Sequence, residues 1–572
     1  MTDVRTGYPS VDKPWLKYYT QEQKSAELPR CKIYDYIWKA NKDDLSRIAF
    51  NYYNTKLTYG QLFERIESAS KGFQQIGVEE GDIVAIVAVT VPETIYTFYG
   101  LNRIGAISNM IDPRTSAEGI HKYIDEVDAK VVVVLDVVLG KILEAVLGTN
   151  VKQIIVLSPA DSLRMFKKQL YKICKGRRFY QNDICIKWKT FIKNGKNQSV
   201  LDTPYKEKTC CVIVHTGGTT GNPKGVMLSN DNLNQSAFQL INSDFQMKRG
   251  DVWADIMPPF IAYGIGNGLH MPLIKGMEIV LIPAFDPQKY DQLMIKHRPT
   301  HIVGVPSHYE SIINSKKMKF RDMSYLVSPV VGGDTMKVEL EDKVNQFIKG
   351  HNAKNNIMKG YGMTEVSAAV SACMSDKINK RGSVGIPFAH TIISVFDPDN
   401  GKELKCGEKG EVCITGPNTM LGYYNDEDET NHVLRVHEDG LTWVHSGDLG
   451  FIDEDGMLFI EGRIKRMIIR HDGFKVFPNL IENTLMKNPM VKECCVVGQN
   501  DRSHAQGMLP VVYVVLATHP LDLDEVIGEL KNMCEEELPE YAQPRFFYVL
   551  DSMPLTPIGK INYRYLEERA NK

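Results

Sequence analysis

Several protein classes are excluded by what this 572-residue chain lacks. No two of its eleven cysteines form a C-x-x-C pair, and the odd count shows no paired spacing. That argues against a disulfide framework and a zinc ribbon, and fits reduced thiols. Two adjacent pairs, Cys210-Cys211 and Cys494-Cys495, fall in apolar runs of strand character. Long hydrophobic runs are also missing. The longest, at 83–91 and 131–138, are far short of the roughly 20 residues that a bilayer span requires. Charge of one sign is not in excess: 68 Lys and Arg against 70 Asp and Glu leave a net charge of −2. Such a chain has no global attraction to nucleic acid or to an anionic membrane. Its 44 glycines and 27 prolines are too few for a collagen-like or linker-dominated protein. The N-terminal stretch has no apolar core of the kind a secretory leader carries, and Ala570-Asn571-Lys572 is not a peroxisomal tripeptide. The expectation is a cytoplasmic protein that neither spans a membrane nor binds nucleic acid.

What is present is ample core material. Apolar residues make up 43% and charged residues 24%, and the length suggests three to four compact units. Thr58-x-x-Gln61 is a capping box opening an amphipathic helix, with Leu62, Phe63, Ile66, Ala69 and Phe73 on one side. Continuous apolar strands at 83–91, 131–138, 210–214, 278–283, 301–305 and 326–331 alternate with helical patterns. That rhythm predicts α/β layers with mostly parallel sheets covered on both faces. From about residue 380 glycine-punctuated short strands take over (410–415, 449–453, 457–460), predicting a distorted β-barrel subdomain. After Gly462-Arg463, the basic Lys465-Arg466 leads into a smaller segment with strands at 494–497 and 511–516 and a helix at 524–537. The predicted organisation is a large N-terminal domain, 1–464, and a small mobile α+β lid, 465–572, hinged near Lys465. The segment 164–178 has seven basic residues, no acidic ones and apolar residues at helical spacing. It reads as a solvated surface helix, with weak contact to a membrane surface or attraction of an anionic substrate as the alternatives.

The most informative stretch is Thr216-Gly217-Gly218-Thr219-Thr220-Gly221-Asn222-Pro223-Lys224-Gly225. A loop this rich in glycine turns several backbone N–H groups toward one anion. Three threonine hydroxyls and the Lys224 ammonium complete the parts of a polyphosphate cradle. It is not a Walker A loop, which needs Gly-Lys-Ser/Thr followed directly by a helix. Here Pro223 precedes the lysine, Gly225 follows it, 226–228 continues as strand, and a helix begins only after Ser229. The loop joins strand to strand.

Downstream, and in this order, come Gly332-Gly333-Asp334, Tyr361-Gly362-Met363-Thr364-Glu365, Gly410-Glu411 through Gly416-Pro417 to Gly422-Tyr423, and Trp443-Val444-His445-Ser446-Gly447-Asp448. Gly462-Arg463-x-Lys465 and Pro554-Leu555-Thr556-Pro557-Ile558-Gly559-Lys560 follow. With this series the chain resembles the adenylate-forming enzymes: acyl-CoA synthetases, luciferases and peptide-synthetase adenylation domains. In character it is closest to the acyl-CoA synthetases. The resemblance implies a two-step reaction, in which a carboxylate attacks the α-phosphorus of ATP to give acyl-AMP and pyrophosphate, and a thiol then attacks the acyl carbon.

It also implies roles for residues. Thr216, Gly217, Gly218, Thr219, Thr220, Gly221 and Lys224 hold the β- and γ-phosphates. Glu365 is a hard ligand for Mg²⁺, with Thr216 beside it, and Thr364 donates to the α-phosphate. Tyr361, with Gly362 and Met363, offers a face for adenine, whose edge Gly332, Gly333 and Asp334 approach. Asp448 accepts from the ribose hydroxyls, with Arg463 and Lys465 nearby. Lys560 is the catalytic lysine that reaches in from the small domain. Rotation about Lys465 withdraws it and brings in the loop around Gly473, past which the thiol arm of CoA runs. Many acyl-CoA synthetases carry Pro-x-Phe-His-x-Tyr-Gly beside the acyl group. Here Pro258-Pro259-Phe260-Ile261-Ala262-Tyr263-Gly264 stands there, so Ile261 replaces the histidine. Amino-acid-activating relatives have Asp at that position, pairing the substrate ammonium. An isoleucine leaves such a charge unpaired and favours an apolar acid, with Ile261, Tyr263 and Gly264 lining its pocket. The thiol acceptor is CoA or, alternatively, the phosphopantetheine arm of a carrier protein. A luciferase-type oxygenase and a non-catalytic acyl-adenylate-binding module are the remoter readings.

Overall fold

The structure, a computed structural model, describes residues 5–164, 168–169, 171, 184–216, 224–243, 245–283, 285–472, 474–504, 506–518, 520, 522–555 and 561–572. Most of the basic segment 164–178 lies outside them, as do Gly217, Gly218, Thr219, Thr220, Gly221, Gly473 and Lys560.

The helix expected from the Thr58 capping box is Tyr59–Gln75. Thr58 accepts from the Gln61 N–H, and Leu62, Phe63, Ile66, Ala69 and Phe73 are all buried. Helix Pro92–Arg103 follows, buried along nearly its whole length. An apolar helix with no solvated face belongs inside the molecule, and side chains from both large sheets join one core around these helices.

The first sheet has eight strands. From Cys210–His215 it runs in parallel through Ile107–Ile111, Ile83–Val87, Val131–Leu135, Gln153–Leu157 and Cys185–Lys187. On the other side of Cys210–His215 lie Gly225–Ser229 and Gly422–Tyr423, both antiparallel. The second sheet has nine strands. Its centre is parallel (Ile48–Tyr52, Glu278–Leu281, Val252–Asp255, His301–Gly304, Ser328–Val331, Met358–Met363) and its ends are antiparallel. The mostly parallel α/β layers are therefore as the sequence rhythm predicts, although two strands end early. The run at 83–91 pairs only to Val87, because Pro92 opens a helix and holds the residue before it extended outside the sheet. The run at 131–138 pairs to Leu135, after which Asp136–Val138 forms a 3₁₀ turn.

The barrel-like region is a five-stranded antiparallel sheet: Ile392–Phe396, Gly410–Thr415, Thr442–Ile452, Leu434–Val436 and Leu458–Arg463. The 11-residue strand Thr442–Ile452 pairs with Leu434–Val436 along its first part and with Leu458–Arg463 along its second. Among the described residues the pairing path does not close on itself, so the sheet is curled in place of a full barrel. The C-terminal part has a sheet of Val491–Asn500, Met508–Leu516 and Phe546–Val549 with its own core, and helices Pro478–Leu485 and Leu523–Glu537. Cys494 and Cys495 are buried in its first strand, and the ten described cysteines are all free thiols. Among the described residues no helix is long and apolar enough to cross a membrane.

Candidate active site

The glycine-rich loop leaves one strand and enters the next, as its residues require. Cys210–His215 and Gly225–Ser229 are antiparallel partners. Ser229 then caps helix Asn230–Ile241, its hydroxyl accepting from Asn232 and its N–H donating to the Asn232 side chain. At the loop base the Thr216 N–H donates to the Lys224 carbonyl at 3.0 Å, and the Lys224 N–H donates to Thr216 Oγ1 at 3.2 Å. Just before it, His215 Nε2 donates to Asn109 Oδ1 (2.7 Å) and the ring lies against that of Tyr123, and burial pushes its pKa down to about 4.

Lys224 does not stand alone. Its ammonium is 2.5 Å from the Glu429 carboxylate, which it holds below the usual carboxylate range, and 5.0 Å from the centre of the Tyr423 ring. Tyr423 in turn donates its hydroxyl to Glu365 Oε1 at 2.8 Å. Burial and the neighbouring Glu365 push that phenol up. Lys224, Tyr423 and Glu365 thus form one chain of contacts. Strand Gly422–Tyr423 makes it possible by pairing with Val226 and Met227 beside the loop.

Glu365 sits in a strained turn. Ser367 and Ala368 both have positive φ (58° and 97°), uncommon for residues with a side chain. A Cβ on Gly362 would lie 1.6 Å from the Ala368 carbonyl oxygen, so only glycine fits where the two strands close. Such strain persists when surrounding contacts over-determine it. Here Met420 donates to the Glu365 carbonyl (2.9 Å), Asn418 to that of Val366 (2.8 Å), and Ser236 to that of Ser367 (3.1 Å).

Four residues before Glu365, Tyr361 donates its hydroxyl to Asp448 Oδ2 at 2.6 Å, and Arg463 Nε is 2.8 Å from Oδ1. Asp448 is buried, and a ribose there would share its oxygens with Tyr361 and Arg463. Burial and Asp448 raise the Tyr361 phenol well above its ordinary value. The turn that presents Asp448 is held from beneath by Glu411, which accepts from the Gly447 N–H (3.0 Å) and pairs with His445 Nδ1 (2.8 Å). Burial alone would raise the Glu411 carboxyl, but the His445 contact keeps it below its usual range.

The turn 332–334 joins this flank to the expected acyl flank. The Gly332 N–H donates to the Gly304 carbonyl, Gly333 has φ 77°, and the Thr335 N–H donates to Asp334 Oδ1. A Cβ on Gly332 would lie 3.6 Å from the Tyr263 hydroxyl and 3.4 Å from the Gly360 carbonyl. Tyr263 opens a feature that no periodicity announces, a π-helix over Tyr263–His270. A Cβ on Gly264 would lie 1.8 Å from the Pro258 carbonyl oxygen, and one on Gly268 would lie 2.7 Å from Asp255 Oδ1. The buried atoms Tyr263 OH, Asn267 Oδ1 and Asp255 Oδ2 have no hydrogen-bond partner. Ile261 packs half-buried against the main core.

Of the other expected site residues, Thr364 and Met363 lie in the Glu365 turn and the strand leading to it. Lys465 is exposed in the 3₁₀ turn Ile464–Arg466. Sequence reasoning named no role for Tyr423, Glu429 or Glu411. The Gly-Tyr and Gly-Glu pairs marked two of these positions, but the partners are far away in sequence.

Comparison with known proteins shows the family and the fold. The family model described as AMP-binding enzyme matches residues 37–424, and that of the AMP-binding enzyme C-terminal domain matches 480–560. A long-chain-fatty-acid–CoA ligase of Bacillus subtilis (strain 168) is 28% identical over 566 residues, 98% of either chain. A probable 4-coumarate–CoA ligase of Dictyostelium discoideum is 28% identical, over 96% of this chain and 97% of its own. Among solved structures, the anthranilate CoA ligase AuaEII with anthranoyl-AMP superposes with a TM-score of 0.80 at 20% identity, covering 96% of this chain and 99% of that one. An ATP-bound RpMatB-BxBclM chimera gives a TM-score of 0.81 at 23% identity, with coverages of 95% and 99%. Those two share the fold. Matched by its family model over most of its length, and carrying that family's motifs in order around one strained turn, this chain belongs to the AMP-binding, adenylate-forming enzymes.

Proposed function

We propose that the protein is an ATP-dependent acid–thiol ligase. It converts an apolar carboxylic acid, fatty or aryl, to its acyl-AMP with release of pyrophosphate, and passes the acyl group to CoA, giving acyl-CoA and AMP. One observation carries this reading: two polar assemblies hang from a single strand and turn. Tyr361, with Asp448 and Arg463, suits a nucleoside. Glu365, four residues on and tied through Tyr423 to Lys224 at the base of the glycine-rich loop, suits its phosphates. The printed names of the Bacillus and Dictyostelium relatives, both CoA ligases of apolar acids, support it, as does Ile261 in place of an ionic residue.

The donors fit Mg²⁺, since Glu365 is a buried hard-oxygen ligand with the Thr216 hydroxyl on the loop base beyond it. Bound there, the ion would neutralise charge on the phosphates. The protein's own part is positioning: Asp448 and Tyr361 orient the nucleoside, and Lys224 and the loop hold the polyphosphate so that the carboxylate meets the α-phosphorus in line. Lys560 is assigned the charge that grows on the α-phosphoryl group, and Gly473 the passage of the thiol. Residues 465–572 are assigned to a lid turning about Lys465.

The deciding experiment is a pyrophosphate-release screen over short, medium, long-chain and aromatic acids with Mg²⁺ and ATP, with and without CoA or a holo carrier protein. One apolar class should release pyrophosphate and yield acyl-CoA. Silence with every acid would overturn the reading, and acylation of the carrier alone would overturn the acceptor. Lys560→Ala should depress acyl-AMP formation by orders of magnitude while sparing thioester formation from supplied acyl-AMP.

A further inference from the structure

A cluster of metal-ligating side chains lies in the C-terminal part, with His471 two positions before Gly473. His471 sits at the tip of the hairpin formed by Ile468–Ile469 and Lys475–Val476. Asp501 and His504 lie in the loop that leaves strand Val491–Asn500. The two imidazole rings are face to face, centroids 3.4 Å apart and planes within 6° of parallel. Both present the same nitrogen to one oxygen: Nδ1 of His504 is 2.8 Å, and Nδ1 of His471 3.3 Å, from Oδ2 of Asp501. One donor atom from each of the three residues lies within 4.8 Å of the others.

We propose that His471, Asp501 and His504 bind one divalent transition-metal ion of the Zn²⁺ class. Two imidazole nitrogens and one carboxylate oxygen are a donor set that selects such ions over Mg²⁺ or Ca²⁺. The carboxylate is prepared for it. The Ser503 N–H donates to Oδ1 at 2.9 Å, which fixes the carboxylate and leaves Oδ2 facing the two rings. On binding, Nδ1 of each ring must be free of its proton, which passes to solvent, while the ring's one remaining N–H sits on Nε2, so no further reactant is required. Both histidines are exposed while Asp501 is buried, which leaves an open approach and room for water as further ligands.

The separation of the donors is set by backbone. A Cβ on Gly507, whose φ is +105°, would lie 2.3 Å from the His471 nitrogen, so the hairpin tip and the 501–507 loop are in main-chain contact. Within that loop the Asp501 N–H donates to the Gly507 carbonyl (3.0 Å) and the His504 N–H to the Asp501 carbonyl (3.2 Å). On its other side the hairpin is fixed by Phe474 stacked on Tyr541 and by Arg470 donating to the Tyr541 carbonyl at 3.0 Å. The two loop backbones are fixed against each other, while the two exposed rings, stacked in parallel planes, must turn about their side-chain bonds to bring both Nδ1 atoms onto one ion. The second group of this kind, Glu411, Cys413 and His445, differs in holding the turn that bears Asp448, through Glu411 and the Gly447 N–H, and so belongs to the site already described.

The test is a Zn²⁺ titration of the full-length protein, stripped of metal and read by competition with a chromophoric chelator. One ion per chain is expected, with affinity at least about tenfold weaker in either His504→Ala or His471→Ala and lost in the double variant. Thermal unfolding without metal should be the same for wild type and His504→Ala, and added Zn²⁺ should raise the midpoint of the wild type alone. Equal binding by wild type and double variant, an ion lost instead in Cys413→Ser, or no binding at all would overturn the proposal.

Discussion

The two flanks of the site meet at the turn 332–334, yet they are built in opposite ways. On the nucleotide flank the polar groups are paired with one another: Tyr361 and Arg463 with Asp448, Tyr423 with Glu365, His445 and Gly447 with Glu411. On the flank proposed for the acyl group the π-helix Tyr263–His270 is packed by glycines against main chain, and Tyr263 OH and Asn267 Oδ1 are buried without a partner among the described residues. A paired network in a low-dielectric site holds charges in one orientation, which suits recognition of one unchanging nucleotide. A wall made by close packing is shaped residue by residue, so a single substitution there changes its shape without touching that network.

The comparison can be broken most directly at Glu365. Glu365→Gln keeps the Tyr423 contact but removes the charge, and pyrophosphate release should fall roughly 10²–10³-fold, the scale of losing one charge-stabilising group, with the fold intact by circular dichroism. Near-wild-type release would detach this turn from the chemistry. On the packed flank, Gly264→Ala places a carbon 1.8 Å from the Pro258 carbonyl oxygen. Overpacking against main chain should cost about 3 kcal/mol or more, seen as a lowered denaturant midpoint.

Acid separates the flanks by degree. His270, fully buried between Tyr99 OH and Asn234 Oδ1 at the end of the π-helix, is pushed down to about 3 by burial, and His215 beside the glycine-rich loop to about 4. Both folded values lie below the unfolded value, so the unfolded chain binds more protons. The stability these neutral rings contribute is fully present above about pH 6.5 and is lost as pH falls toward the folded values. For each ring the loss at pH 5 should be about 2 kcal/mol; the two part only below about pH 4, where His215 binds its proton in the folded state and His270 does not. Urea melts at a series of pH values check this, and a flat profile between pH 7 and 5 would contradict it.

The smallest effects sharpen the contrast most. Tyr361→Phe removes a hydroxyl bonded to a buried carboxylate and should cost about 1.5–3 kcal/mol in stability or ATP binding. Tyr263→Phe removes an unpartnered hydroxyl and should leave stability unchanged within about 0.5 kcal/mol, or raise it, while altering which acids are accepted. Equal costs at the two tyrosines would erase the distinction between the flanks.

Much of this was legible in the residues. Pro223, Gly225 and the Ser229 capping box located the strand-to-strand loop and the helix after it, and Thr58-x-x-Gln61 placed the first long helix. The ordered motifs located Glu365, Tyr361 and Asp448. The Glu429 carboxylate on Lys224 was not legible: the two residues stand 205 apart and no local pattern couples them. Nor was the π-helix, whose first turn lies with Gly264 against the Pro258 carbonyl, a close approach that no repeat in the helix announces. The early end of the strand at 83–87 follows from Pro92, a signal present but outweighed by an unbroken apolar run.

By itself the sequence determined the alternation of strands and helices, the capped helix starts at Thr58 and Ser229, and which side chains could serve a nucleotide, because capping, turn chemistry and apolar periodicity act over a few residues. Tertiary structure alone decided that Tyr361 grips Asp448, that Tyr423 bridges Lys224 to Glu365, and that two histidines 33 positions apart aim at one aspartate. Those pairings depend on crossovers between sheets and on backbone approaches of a few ångströms, which no short-range preference encodes.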